Sequence, residues 1–177
     1  CANATAPDNQ AIGVWSMHTN TTGGDNIAIG NFSLGSNTSG NNNVALGLSS
    51  LCGNTSGCYN TALGRNALRC NTTANSNVAV GYESLKVNTT GTENTAVGKD
   101  SLKLSTTAIQ NTAVGTSSLR DNTTGTENTA VGFNSLVQST TGSSNTSIGK
   151  ESLFSNTTAS NNTAVGTASL KANTTGS

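Results

Sequence analysis

Asn94-Thr95-Ala96-Val97-Gly98 decides how this chain folds, because near-copies of it return every 17 residues without an insertion or deletion. The anchoring glycines are Gly13, Gly30, Gly47, Gly64, Gly81, Gly98, Gly115, Gly132, Gly149 and Gly166, and each follows an asparagine by four residues, from Asn9 to Asn162. Aligned on these anchors, the unit reads N-x-A-[VIL]-G-x-x-S-L-x-x-N-T-T-G-x-x, numbered below as columns one to seventeen. Column three is Ala in nine copies and Ser147 in the tenth. Column four is always Ile, Leu or Val, and column nine is Leu from Leu34 to Leu170, with Met17 in the first copy. These are the only reliably apolar columns, so they are expected to supply the interior. Val97, Leu102, Val114, Leu119, Val131 and Leu136 are then the middle of continuous core ladders.

So few apolar sites in 17 residues make no helical stripe, and Gly, Asn, Thr and Ser are weak helix formers. Short β-branched runs such as Asn111-Thr112-Ala113-Val114, cut by Gly- and Asn-rich turns, read as strands of about four or five residues. A strand that short cannot hold itself, but coils stacked in register bond to those above and below at about 4.8 Å. The expected fold is all-β: a parallel β-solenoid, β-roll or β-helix, of about ten 17-residue coils and roughly 48 Å in length. Residues 1–8 read as a partial N-terminal coil, and 9–177 as a single solenoid of ten repeats, the last lacking its final residue. Val97 is expected beneath Val114, and Leu102 beneath Leu119. Column five, always glycine, marks a site of positive φ or close backbone approach. Column fifteen, which holds Ala74, Ala108 and Ala159, is less demanding. Column one reads as an asparagine ladder, each amide bonded to its copy in the next coil, as in stacked cross-β structures.

The chain has 177 residues, of which 32% are hydrophobic, 3% aromatic and 9% charged, too polar for an ordinary globular core. Disorder would go with high net charge and no fixed period, whereas here eight basic and eight acidic residues cancel and the period is regular. The charges lie singly, mostly in columns six, seven, ten and seventeen, as in Lys99, Glu83, Lys103 and Glu127, and serve solubility. No basic stripe points to nucleic acid, and no apolar run approaches the roughly 20 residues of a membrane span. No signal peptide opens the chain, so an exported protein would be seen here in mature form. His18, the single histidine, has no acid or cysteine at catalytic spacing. Gly23-Gly24-Asp25 is a lone fragment of a calcium-binding repeat, and no phosphate loop occurs. No enzyme, cofactor or metal site is expected.

Four cysteines, Cys1, Cys52, Cys58 and Cys70, lack zinc-site spacing and read first as disulfide formers. Cys52 and Cys58 bracket the corner Gly53-Asn54-Thr55-Ser56-Gly57 and make the simplest staple, with Cys70 the rival partner for either. Cys1 has no partner in adjacent coils, which leaves it free, bonded to another chain or lipid-modified; as a first residue it resembles the mature end of a bacterial lipoprotein.

Column twelve is Asn in eight of ten copies and is followed throughout by Thr or Ser, giving N-x-[ST] acceptors at Asn20, Asn37, Asn54, Asn71, Asn88, Asn122, Asn156 and Asn173. Asn3, Asn31, Asn145 and Asn161 add four more. Columns twelve and fourteen would share one face of a strand, so a glycan coat on these asparagines, or on hydroxyls such as those of Thr89, Thr123 and Thr140, is one reading. Ordinary corner residues, copied along with the repeat, are the other. Bare, the same array would be a flat repeated surface suited to binding ice, the least favoured function.

The first copy departs from the rest, with Val14, Trp15 and Met17 in columns six, seven and nine, just after the lone Pro7. No cap is recognisable at either end: one reading is that caps lie in sequence beyond the stretch seen here, the other that the edges are uncapped, which would favour head-to-tail contacts that do not close and so grow a fibre. Val14, Trp15 and Met17 are the candidate junction.

The segment Asn94 to Ser101 resembles the head repeat of trimeric autotransporter adhesins, whose N-S-V-A-I-G-x-x-S motif builds a left-handed parallel β-roll. The longer unit, as in Asn128 to Gly142, is similar to repeats of tail-fibre-like surface proteins. The resemblance implies an extracellular fibrous or adhesive β-solenoid with no catalytic residues. The expected function is a structural subunit of an extracellular or cell-surface filament, glycosylated and self-assembling head to tail. An adhesin or tail-fibre shaft, presenting a trimeric rod, is the alternative.

Overall fold

A computed structural model describes residues 7–176 of the chain. They form ten strands, each three residues long: β1 (Gln10–Ile12), β2 (Ile27–Ile29), β3 (Val44–Leu46), β4 (Thr61–Leu63), β5 (Val78–Val80), β6 (Thr95–Val97), β7 (Thr112–Val114), β8 (Thr129–Val131), β9 (Thr146–Ile148) and β10 (Thr163–Val165). All ten lie in one parallel sheet, in chain order, with no helix among the described residues. Register advances 17 residues per strand, so Val97 pairs with Val114 and Val114 with Val131. The molecule is the β-solenoid expected, one coil per repeat.

The strands are shorter than expected because glycine ends each one. Gly98 has φ +130°, and a Cβ on it would lie 2.5 Å from the Gly115 carbonyl oxygen, so column five needs both the conformation and the missing side chain. Beyond the sheet the coils remain bonded: the Leu34 N–H donates to Ser50 O at 3.0 Å, Gly53 N–H to Arg69 O at 2.8 Å and Thr55 N–H to Thr72 O at 2.9 Å. Columns seven, nine and seventeen are left-handed, as at Glu83 (φ 56°), Leu85 (φ 47°) and Glu93 (φ 60°). That conformation costs an L-residue about 1–2 kcal/mol, so stacking between coils must hold it in place.

The apolar core differs from expectation in one column. Neighbouring residues of a strand face opposite ways, so columns three and four cannot both be interior. Ala96, Ala113 and Ala130 point inward and are fully buried, as are Leu102, Leu119 and Leu136. Val97 and Val131 are only half-buried, and Val114 is 37% exposed, so the three valines line the outside of the sheet. What fills most of the remaining interior is polar, the asparagines of columns one and twelve and the serines of column eight, nearly all at zero exposure, with Ala67, Ala74 and Ala108 among them. A coil this small has room for one large apolar side chain, and stacking sets each buried amide at the height of the same column in the next coil.

Candidate functional site: ladders, edges and outward columns

The column-one asparagines form the ladder expected. Asn94 Nδ2 donates to Asn77 Oδ1 (3.2 Å) and across the coil to Ala108 O (2.8 Å), while its Oδ1 accepts from the Asn111 backbone N–H (3.0 Å) and Asn111 Nδ2 (3.1 Å). Both N–H bonds and both lone pairs of the amide are used. A second ladder runs up column twelve, where Asn54 Nδ2 donates to Asn37 Oδ1 and to Gly57 O, each at 2.9 Å, and Oδ1 accepts from Asn71 Nδ2 at 2.9 Å.

Two serines interrupt this second ladder. Ser105 and Ser139 stand where the other copies carry Asn, and the buried Asn88 Oδ1, Asn122 Oδ1, Ser105 Oγ and Ser139 Oγ have no hydrogen-bond partner. Asparagine fits before either column-fifteen residue present there, since Asn71 Nδ2 reaches the Ala74 carbonyl at 3.1 Å and Asn122 Nδ2 that of Gly125 at 2.9 Å. Ser105→Asn and Ser139→Asn should therefore each stabilise the rod by about 1–2 kcal/mol, by closing the ladder and satisfying buried acceptors. Calorimetry of the single and double variants would check this; a lowered melting temperature would show the column too tight for the larger side chain.

The same burial corrects the glycan assignment. Asn20, Asn37, Asn54, Asn71, Asn88, Asn122 and Asn156 are wholly inside the rod and offer no amide to a modifying enzyme in the folded state. Asn173, in the outermost coil, is half-buried and donates to Gly176 O, and Asn3 lies outside the described residues. Thr89, Thr123 and Thr140 are half-buried, their hydroxyls donating to the carbonyls of Thr106, Thr140 and Thr157 at 3.1, 3.0 and 3.1 Å. The column that faces solvent is fourteen, from Thr22 to Thr175, every member of which is exposed. Columns twelve and fourteen therefore do not share a face, and the paired array on which an ice-binding reading depended is not on the surface. Of the remaining sequons Asn145 is buried, while Asn31 and Asn161 are exposed.

The three junction candidates separate. Val14 is exposed, its N–H donating to Asn31 Oδ1 at 3.0 Å. Trp15 is 56% exposed, with its ring edge-on to His18 at 5.0 Å between centroids. Met17 is buried and belongs to the leucine ladder, not to a surface. At the other outer coil Leu170 is 50% exposed, whereas its counterparts from Leu34 to Leu153 are fully buried.

Charges cluster in one place that the repeat pattern does not mark. Glu83 receives Lys86 Nζ from its own coil and Lys103 Nζ from the next, both at 2.8 Å, and Lys103 also meets Asp100 at 3.1 Å. The hydrogen bonds from Lys103 and then Lys86 hold the Glu83 carboxyl at about 2, against an ordinary value of 4.5. A carboxyl depressed on folding stabilises fully above its unfolded value and loses that contribution as pH falls through the folded one. Thermal stability should thus drop by about 1 kcal/mol between roughly pH 5 and 2. In Glu83→Gln that part of the pH dependence should vanish; an unchanged profile would assign the acid loss to other carboxylates.

Cys52, Cys58 and Cys70 are free thiols here, each half-buried, so the expected Cys52–Cys58 staple is not formed. Cys58 instead fills an acceptor column. The Gly24 N–H donates to Asn41 Oδ1, the Asn41 N–H to Cys58 Sγ at 3.3 Å and the Cys58 N–H to Asn75 Oδ1 at 2.7 Å, and the Cys58 thiol donates to Ser56 O at 3.4 Å. Burial pushes the Cys52 thiol up, with the Arg69 guanidinium opposing it and Cys70 adding to it. Cys1 lies outside the described residues.

Among the described residues no group of His, Cys, Asp or Glu is placed to hold a metal ion, and no helix is long and apolar enough to cross a membrane. Comparison with known protein families, characterised proteins and solved structures finds no match to this chain.

Proposed function

We propose that this protein is a structural subunit of an extracellular filament, built by stacking one rod on the next. The observation that carries this reading is the strict translational repeat: the edge of β10 offers the groups by which each inner coil binds its successor, and the edge of β1 those by which it binds its predecessor. Inside the rod the column-two N–H donates to the next coil's column-one carbonyl, as from Thr95 to Asn111 O at 2.8 Å, and the column-five N–H to the preceding column-four carbonyl, as from Gly115 to Val97 O at 2.7 Å. A second copy placed on β10 would meet Thr163 N–H with its Asn9 carbonyl and Val165 O with its Gly13 N–H, a register in which either its own residues 1–7 or residues 171–177 of the first rod, but not both, fill columns ten to sixteen of the joining coil. Asn162 Oδ1 would take up Asn9 Nδ2, and Leu170 would be covered by Met17.

Sugar on this surface belongs to the column-fourteen hydroxyls and to Asn31 and Asn161, the acceptors that the rod leaves exposed. The adhesin- or tail-fibre-like alternative draws on a different observation. Columns two and four, on the outer face of the sheet, carry no charge in ten coils. Three rods side by side could share that strip, and a discrete trimer in solution would favour this reading.

Electron microscopy and light scattering of the purified chain test the filament. Rods that lengthen with concentration are expected, and Thr163→Pro, which removes an edge N–H that no internal bond uses, should stop the growth while leaving the single rod folded. A wild-type protein that stays at a fixed small mass would sink the proposal.

A further inference from the structure

We infer that Cys52 and Cys70 are a disulfide pair that staples the third coil to the fourth, and that Cys58 is not part of it. The inference is independent of the filament reading. Cys52 is in column ten of one coil and Cys70 in column eleven of the next, and the backbones run side by side there: Leu51 N–H donates to Ala67 O at 3.0 Å, and Gly53 N–H to Arg69 O at 2.8 Å. A Cβ placed on Gly53 would lie only 3.5 Å from the Cys70 carbonyl carbon. A step of about 4.8 Å between coils combined with about 3.8 Å along the chain puts the two Cα atoms about 6 Å apart, inside the roughly 4.4–6.8 Å that a disulfide spans.

Cys58 is the closer residue in sequence, but its sulfur is engaged between the Asn41 N–H and the Ser56 carbonyl. It stands in the position that Asn41 and Asn75 occupy in the flanking coils. Drawing it to Cys52 would leave the Asn41 N–H without its acceptor. Cys52 and Cys70 have no such duty, are half-buried and so reachable, and feel one another electrostatically. Burial raises the Cys52 thiol, Arg69 beside it only partly opposes that rise, and the attacking thiolate of the exchange is therefore formed at mildly alkaline pH.

The step needs a low-molecular-weight disulfide as oxidant. One thiolate attacks it, releasing one thiol and leaving a mixed disulfide; the second protein thiolate displaces the other thiol. The protein gives up two electrons and two protons, and the oxidant becomes two thiols.

The full chain, equilibrated with oxidised glutathione at mildly alkaline pH, acid-quenched, alkylated and peptide-mapped by mass spectrometry, tests this. The expected product is two hydrogens lighter, contains one cross-linked pair of peptides bearing Cys52 and Cys70, and has Cys58 alkylated. Cys58→Ser should give the same cross-link and Cys70→Ser none within the chain. The midpoint of urea unfolding should rise on oxidation in wild type and in Cys58→Ser, but not in Cys70→Ser. A Cys52–Cys58 link, a link of either residue to Cys1 or to another chain, or both thiols remaining alkylatable would overturn the inference.

Discussion

Gly98→Ala should destabilise the rod by about 4 kcal/mol or more, since it combines backbone strain with a collision that the backbone cannot relieve. At φ +130° an L-residue is strained wherever it stands, at a cost on the order of 1–3 kcal/mol. The new Cβ would also fall 2.5 Å from Gly115 O and 2.6 Å from Gly115 C, atoms fixed by the sheet bonds of β6 and β7. The outer coil provides the control. At Gly166, φ +121°, the nearest atom to an added Cβ is 4.0 Å away, so Gly166→Ala should show the strain alone. The gap between the two variants in chemical denaturation measures the contact between coils. Equal losses would mean that coils separate easily and that strain is the whole effect.

A comparable loss, about 3–5 kcal/mol at neutral pH, is expected for Asn94→Asp. The substitution keeps the shape and one acceptor for Asn111, but removes the hydrogens given to Asn77 Oδ1 and Ala108 O and sets a carboxylate against those two oxygens. The site is fully buried, so burial and the facing oxygens both raise the folded-state value of the new acid above the unfolded one of about 3.9. A raised acid destabilises when ionised, so the variant should recover part of its stability as pH falls through that raised value, the reverse of the Glu83 dependence. Asn94→Leu, which cannot titrate, should be destabilised at every pH. A flat profile for Asn94→Asp would mean that water reaches the ladder.

How much of this was legible in the sequence depended on what kind of fact each residue contributed. The period, the parallel register and the role of Gly98 followed from exact recurrence, because a column that never changes must meet its own copies. The same reasoning identified the column-one ladder. It stopped short at column twelve, where N-T-T reads equally as an exposed corner and as a buried amide followed by two hydroxyls. Ser105 and Ser139 held the missing signal: a column that varies only between Asn and a smaller hydroxyl residue is behaving as an interior. Val97 and its copies misled for the opposite reason, since β-branched residues suit the outer face of a strand as well as the inner one, and only the fully buried alanine beside them shows which way the strand faces. The Glu83 cluster was only half visible, because Glu83–Lys86 and Asp100–Lys103 are pairs three residues apart along the chain, whereas the Lys103–Glu83 contact that joins them crosses from column ten of one coil to column seven of the coil before.

Within both ladders every amide hydrogen shared between coils is given toward the lower-numbered coil, and every amide oxygen is turned toward the higher. The rod is consequently an arrow. Two copies cannot meet nose to nose or tail to tail without setting donors against donors or oxygens against oxygens, so any thread they make has one sense throughout. A filament built on the proposed stacking would have chemically unlike tips, which should lengthen at different speeds.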